Sequence, residues 1–288
     1  ILNNAKQAYI HAAKNGVSFV LSTEKLIVTE NNKEKLRLKA AKALENNEFL
    51  TYMQFIVDTQ TEKICGAEVL SRWNNPEFGL ITPGSYMDIL KEMGIVKTHD
   101  YNVFEFLCKQ LQAWSNTKYK NLFLSCNFTR ISVSDKEFAQ VIKEISGRYK
   151  FDRSRLLIEI TEESFVSDPK QVEANIKQCS DMGFKIAIDD MGSGFSSLSD
   201  LCCNKISIVK IERALVLEGL NERGSRLLNG LIALSHGVGA KVLCEGIETR
   251  KEREMIRNTD CDYTQGYYYS RTLPLDEAYK FLDDKTNI

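Results

Sequence analysis

The sequence predicts an α/β fold, specifically a closed barrel of parallel strands wrapped by helices. Three observations carry this expectation. Short β-rich runs alternate with helical stretches from residue 49 onward, and strands joined by helices pair in parallel through right-handed crossovers. About eight such units fill roughly 240 residues, which is the size of one closed barrel. No G-x-G-x-x-G follows the first strand, as an open dinucleotide-binding sheet would require.

Taken in order, residues 2–15 place Leu2, Ala5, Tyr9, Ala12 and Ala13 at helical spacing, with Asn15-Gly16 as a stop. Ser18–Leu21 reads as a short strand. Residues 30–47 are rich in Glu, Lys, Asn and Ala, with Leu36, Leu38, Ala41 and Leu44 as the apolar positions. They describe a linker running into an amphipathic helix, with a domain boundary near residue 30. Strands are expected at Leu50–Val57, Ile64–Leu70, Asn121–Phe128, Leu156–Ile160, Lys185–Ile188, Ile206–Ile211, Lys241–Cys244 and around Asp262–Tyr263. Helices are expected over 85–93, 99–115, 135–146, 169–182, 213–238 and 250–258. The expected organisation is a leading segment 1–29, a linker and connecting helix 30–48, and a main domain 49–288.

Charge and composition narrow the function. In 288 residues, 38 Lys and Arg face 39 Asp and Glu, a net charge of −1. That balance disfavours DNA binding, which needs a cationic excess. No apolar run approaches the ~18 residues of a membrane span, so no membrane contact is expected from these residues. Eight cysteines occur without a C-x-x-C pair, and His11, His99 and His236 are scattered. That pattern suits reduced thiols in a cytoplasmic protein better than a zinc site.

The acids fall at the ends of the strands. Glu68 sits late in its run, Asn127 closes Leu122–Cys126, and Glu159 lies inside Leu157-Ile158-Glu159-Ile160. Asp189-Asp190 follow Lys185–Ile188, Lys210 ends Ile206–Val209, Glu245 follows Val242–Cys244, and Gln265 follows Asp262–Thr264. Several have a plain structural alternative: a satisfied core salt bridge for Glu159, turn residues for Asp189-Asp190, a surface cation for Lys210, and exposed acids flanking a helix start for Glu245 and Glu248. In a parallel barrel, however, all of them map to the C-terminal rim, where barrel enzymes keep their chemistry. Clustered carboxylates repel unless a cation neutralises them. Oxygen ligands suit Mg²⁺ or Mn²⁺, and the aspartate pair invites a second ion. Phosphoester hydrolysis is the chemistry that asks for this set.

The motifs resemble those of the EAL-domain cyclic-di-GMP phosphodiesterases. They are Glu68-Val69-Leu70 within Gly66–Trp73, Asn127-Phe128-Thr129, Glu159-Ile160-Thr161-Glu162, Asp189–Gly194, Lys210-Ile211-Glu212, Glu245-Gly246-Ile247-Glu248 and Gln265-Gly266-Tyr267. The resemblance spans roughly residues 34–284. It implies a TIM-like (β/α)8 barrel with an irregular first strand, and hydrolysis of cyclic di-GMP to linear pGpG using Mg²⁺ or Mn²⁺, two ions per site. It also implies roles. Glu68, Asn127, Glu159 and Asp189 would hold the first metal, and Asp190 would help hold the second. Glu245 and Lys210 would handle the attacking water, and Glu162 would steady the loop after Asp190. Gln54, Leu70, Arg72 and Gln265 would contact substrate, Arg72 through its planar guanidinium.

The first residues, Ala5–Tyr9 and Ala13–Gly16, are similar to the last helix and strand of a GGDEF domain, which suggests a remnant of a GGDEF–EAL tandem. The full-length protein could then be tethered to a membrane outside this stretch. A homodimer is expected through the loop and helix after Asp190, where Phe195, Leu198 and Leu201 offer apolar contacts. Phe55, Met191, Glu212, Cys244 and Thr272 depart from the family pattern without removing a ligand. Two other functions remain open at this point: a catalytically inactive cyclic-di-GMP receptor, and a degenerate interaction module.

Overall fold

The computed structural model describes residues 24–161, 164–191 and 205–286. They fall into two compact units, one made of the residues up to Leu50 with Arg72–Val96, the other of Thr51–Ser71 with Lys97 onward. The GGDEF-like helix and strand expected within residues 2–21, the dimer loop around Gly192–Leu201, and Glu162 lie outside the described residues.

The smaller unit contains α1 (Glu24–Glu45), the adjoining ends of β1 (Phe49–Asp58) and β2 (Ile64–Asn75), β3 (Gly79–Ile81) and α2 (Pro83–Glu92). Leu36, Ala40 and Ala43 recur at helical spacing on α1 and pack with Trp73, Tyr86, Ile89 and Leu90. The Trp73 indole donates to Glu48 Oε2 at 2.9 Å and stacks on Phe49 at 5.3 Å. Asn75 Oδ1 accepts the N–H groups of Glu77 and Phe78, an Asx turn that folds the chain back as β3. The helix expected within 30–47 is therefore present, and it begins upstream of residue 30.

The larger unit is a closed eight-strand barrel. After α3 (Val96–Trp114) come β4 (Phe123–Phe128), the short α4 (Arg130–Val133), α5 (Phe138–Ser146), β5 (Leu156–Thr161), the short α6 (Ser164–Ser167) and α7 (Pro169–Asp181). The chain continues through β6 (Lys185–Met191), β7 (Ile208–Ile211), α8 (Arg213–Glu218), α9 (Glu222–Gly237) and β8 (Lys241–Cys244). It ends with α10 (Arg250–Arg257), β9 (Tyr263–Gln265), β10 (Leu273–Pro274) and α11 (Leu275–Thr286). The ring runs β1–β9–β8–β7–β6–β5–β4–β2 and closes where β2 pairs with β1.

From β2 round to β9 every neighbour is parallel. The all-parallel pairing that the strand–helix alternation suggested needs one correction, because β1 runs antiparallel to β9 with Ile56 opposite Gln265. The cause is local. Residues 59–63 are too few for a crossover, and Asp58 Oδ1 accepts the N–H groups of Gln60 and Thr61, which makes a tight turn instead. The single helix expected over 213–238 is two helices, since Asn221 accepts from Gly224 N and starts α9 afresh.

The core has two layers around the strands. Outward residues such as Cys126, Ile158, Ile160, Ile186 and Ile188 pack beneath the helices against Phe104, Leu107, Ile142 and Ile176. A smaller set (Ile56, Leu157, Ala187, Ile208 and Leu243, with Phe123 and Tyr263) packs together as the barrel's own filling. Gly66 belongs to this arrangement by its size: a Cβ there would sit 2.7 Å from the Phe123 ring.

Candidate active site

Side chains alternate along a strand, so the residue two beyond each filling residue points to the same side, nearer the C-terminal mouth. Those positions are Glu159 after Leu157, Asp189 after Ala187, Lys210 after Ile208, Glu245 after Leu243 and Gln265 after Tyr263. Glu68 on β2 and Asn127 on β4 complete the ring. Nearly every strand of the barrel contributes one polar group to a single place.

Lys210 stands at the centre. It is 1% exposed, and its Nζ donates to Glu159 Oε2 at 2.7 Å. The same nitrogen lies 2.7 Å from Glu245 Oε1, 3.1 Å from Asp189 Oδ1 and 3.9 Å from Glu68 Oε2. Asn127 Nδ2 donates to Glu68 Oε1 at 2.7 Å, and Gln265 Nε2 donates to Glu68 Oε2 at 2.7 Å and to Gln54 Oε1 at 3.2 Å. Seven of the residues singled out in the sequence are thus in one connected network with Gln54. A cavity of about 240 Å³ opens over it, lined by Gln54, Glu68, Glu245 and Gln265 and by the following residues Gly246, Glu248, Gly266 and Tyr267.

One ammonium stands among four carboxyl groups, so the site holds more acids than cations. Burial works against the Lys210 charge, yet Asp189, Glu159, Glu245 and Glu68 together outweigh it and hold the ammonium well above its ordinary range. Burial pushes Glu159 well above the usual carboxylate range, with Glu68 and Asp189 adding to it and Lys210 opposing. Burial likewise raises Glu245 to about 8, against Lys210 and reinforced by Asp189 and Glu68. Asp190 is raised by loss of hydration and by its neighbour Asp189. Its backbone is left-handed, φ +59°, with its N–H bonded to Asp189 Oδ1 at 3.0 Å, a conformation that Asp tolerates better than most residues.

The chemistry of the donors fits a hard divalent cation. All are oxygens, and Glu159 Oε1 is a buried carboxylate oxygen without a hydrogen-bond partner. Among the described residues no group of three or more His, Cys, Asp or Glu side chains is placed to hold a metal ion; the acids close around the Lys210 ammonium instead. Leu70 is half-buried on β2 and is not among the residues lining the cavity. Arg72 is half-buried in the smaller unit.

The reading of the sequence assigned no role to Glu248 or Tyr267, which line the cavity. Their signal was position, three residues after Glu245 and two after Gln265, in the loops that leave the C-terminal rim. A buried Ser71–His99–Asp100 chain behind the rim was also missed, because its members lie on different elements.

A family model for the EAL domain matches residues 37–272 of the chain. The oxygen sensor protein DosP of Escherichia coli is 29% identical over 253 residues, covering 87% of this chain and 32% of that protein. The bifunctional diguanylate cyclase/cyclic di-GMP phosphodiesterase MucR of Pseudomonas aeruginosa is 26% identical over 283 residues, covering 96% of this chain and 41% of MucR. The chain therefore spans well under half the length of these curated relatives. Among solved structures, the PaMucR phosphodiesterase in complex with c-di-GMP superposes with a TM-score of 0.80 at 26% identity, over 85% of this chain and 99% of that one.

Proposed function

The chain belongs to the EAL domain family, and on that premise we propose that it hydrolyses one phosphodiester bond of cyclic di-GMP, giving linear pGpG, with the help of Mg²⁺ or Mn²⁺. The observation that carries this reading is the buried Lys210 ringed by Glu68, Glu159, Asp189 and Glu245 at the C-terminal mouth of a barrel. A purely structural ion pair needs one acid, and four are an unstable surplus unless protons or further positive charge neutralise them. Glu68, Asn127, Glu159, Asp189 and Asp190 would hold the divalent ions. Such ions supply Lewis acidity toward a phosphoryl oxygen and lower the pKa of water.

The chain's own groups do the rest. Glu245, in its charged form, accepts a proton from the attacking water, whose oxygen bonds to phosphorus as the P–O3′ bond breaks, and the departing 3′ oxygen takes a proton from solvent water and leaves as a hydroxyl. Lys210, 2.7 Å away, keeps Glu245 oriented and favours its charged form. Gln54 and Gln265 present amides along the cavity wall to the sugar–phosphate ring of the substrate. Glu162 is assigned to the loop after Asp190, and Leu70 and Arg72 to the substrate, on the strength of their motifs. A homodimer through residues after Asp190, a GGDEF remnant before residue 30 and a cytoplasmic setting belong to the same proposal.

The position of Lys210 between the acids also favours a second reading, a cyclic-di-GMP receptor without turnover. Incubation with cyclic di-GMP and Mn²⁺, followed by chromatography, separates the two. The expected outcome is linear dinucleotide, lost with chelator and abolished in Glu68→Ala. Tight binding with intact substrate would replace the enzyme by the receptor.

A further inference from the structure

Asp100 sits near the start of α3 and is 3% exposed. Its Oδ2 accepts three hydrogen bonds, from Thr129 N at 3.0 Å, Thr129 Oγ1 at 2.7 Å and Ser132 Oγ at 2.7 Å. Its Oδ1 faces His99 Nδ1 at 3.5 Å, and His99 Nε2 lies 2.9 Å from Ser71 Oγ. Every member of this chain except Thr129 is buried, where a polar group persists only if its partners are in place.

The two ends of the chain are informative. Ser71 is three residues beyond Glu68 on β2, and Thr129 is two residues beyond Asn127 at the exit of β4. Glu68 and Asn127 touch each other, Nδ2 to Oε1 at 2.7 Å, so the polar chain closes a loop behind them. Thr129 is the N-cap residue of α4, yet its hydroxyl makes no capping bond within that helix. It goes to Asp100 instead. A four-residue helix has little stability of its own, so a carboxylate from a different element fixes this turn.

We propose that Asp100 is a positioning residue for the active site, acting through Thr129 and Ser132 on Asn127 and through His99 and Ser71 on Glu68. The inference rests on the reading above, in which Glu68 and Asn127 hold a divalent cation. Asp100 bonds to neither ligand itself; it fixes Thr129 and, through His99, Ser71, which lie two and three residues along the chain from Asn127 and Glu68. A partner bonded directly to a ligand typically changes metal binding or activity about 10- to 100-fold, and an indirect one is expected to act at or below the low end of that range.

The test compares Asp100→Ala with Asp100→Asn in the full chain. Mn²⁺ alone is the binding probe, followed by its paramagnetic signal, alongside cyclic-di-GMP turnover and amide hydrogen exchange over residues 124–133. Asp100→Ala is expected to bind Mn²⁺ more weakly, by up to about tenfold, with a lower kcat, little change in KM and faster exchange at Thr129. Asp100→Asn keeps an acceptor oxygen and should recover most of each. If Asp100→Ala does not fold, Ser132→Ala removes one of the three donors and should shift the same readouts in the same direction by less. Unchanged Mn²⁺ affinity and unchanged exchange in a folded variant would overturn the assignment. A wild-type protein that neither binds Mn²⁺ nor turns over would instead defeat the phosphodiesterase reading. Exchange over 124–133 and cyclic-di-GMP affinity, which Asp100→Ala must still alter, would then decide the positioning role.

Discussion

Replacing Lys210 by Met keeps most of the side-chain volume and removes the charge, which leaves Glu159, Glu245, Asp189 and Glu68 without their shared cation. Lys210 lowers both Glu159 and Glu245 against their burial, so without it these carboxyls keep their protons to still higher pH. The folded variant then binds more protons than the unfolded chain over a wider range, and its stability falls as pH rises. Urea unfolding of Lys210→Met should show a loss of about 3 kcal/mol at alkaline pH that shrinks toward acid pH, with turnover abolished. A loss independent of pH would mean that Lys210 acts by packing alone. At this scale the sequence was highly legible. A polar residue two positions after an apolar strand residue recurs at Glu159, Asp189, Lys210, Glu245 and Gln265, and period-2 alternation turns that recurrence into one layer. Asp100 and His99 were not legible, because a lone His-Asp pair on a helix carries no periodic signal and acquires meaning only beside Ser71 and Thr129.

Elements were legible where the sequence punctuates them. Asp168-Pro169 opens α7 and the Thr249–Glu252 capping box opens α10, whereas Asn221, which opens α9, lies inside the single helix expected over 213–238. The short β3 and β10 escaped, since two or three residues give no alternation to read, and the antiparallel β1 escaped because orientation is set by the Asp58 turn rather than by periodicity. The segment between β8 and α10 shows what an element exit demands. Gly246 has φ +67°, and a Cβ there would lie 2.6 Å from Arg213 Cβ. The Arg213 guanidinium bonds to Glu248 Oε2 at 2.9 Å, and the buried Glu252 accepts Glu248 N at 2.7 Å. Gly246→Ala should therefore cost about 1–3 kcal/mol, read by chemical denaturation. It should also lower kcat about 10²-fold, because a displacement of ~1 Å at the adjacent Glu245 would disturb the water-handling geometry proposed for it. A variant with wild-type kcat and reduced stability would separate this loop from the chemistry.

For the molecule as a whole, the surplus of acids couples folding, cation binding and protons. An unfolded Glu245 loses its proton near 4.5, whereas the folded one keeps it to about 8. Between those values the folded protein binds more protons than the unfolded one, so the cation-free protein loses stability as pH rises through that window. A divalent cation bound as proposed, beside Glu159 and Glu245, would favour the charged forms of these two raised carboxyls and so expel protons. Two consequences are measurable together. The rise in Tm on adding saturating Mg²⁺ should be larger near pH 8 than near pH 5.5, reaching about 2.7 kcal/mol of stabilisation at a hundredfold excess over Kd. The heat of Mg²⁺ binding at neutral pH should depend on the ionisation enthalpy of the buffer, in the sense of proton release, and Glu245→Gln should diminish that dependence. An equal Tm rise at both pH values with no buffer dependence would mean that the acids are already charged without the ion. Glu245 would then be a base ready before the cation arrives, rather than one that the cation switches on.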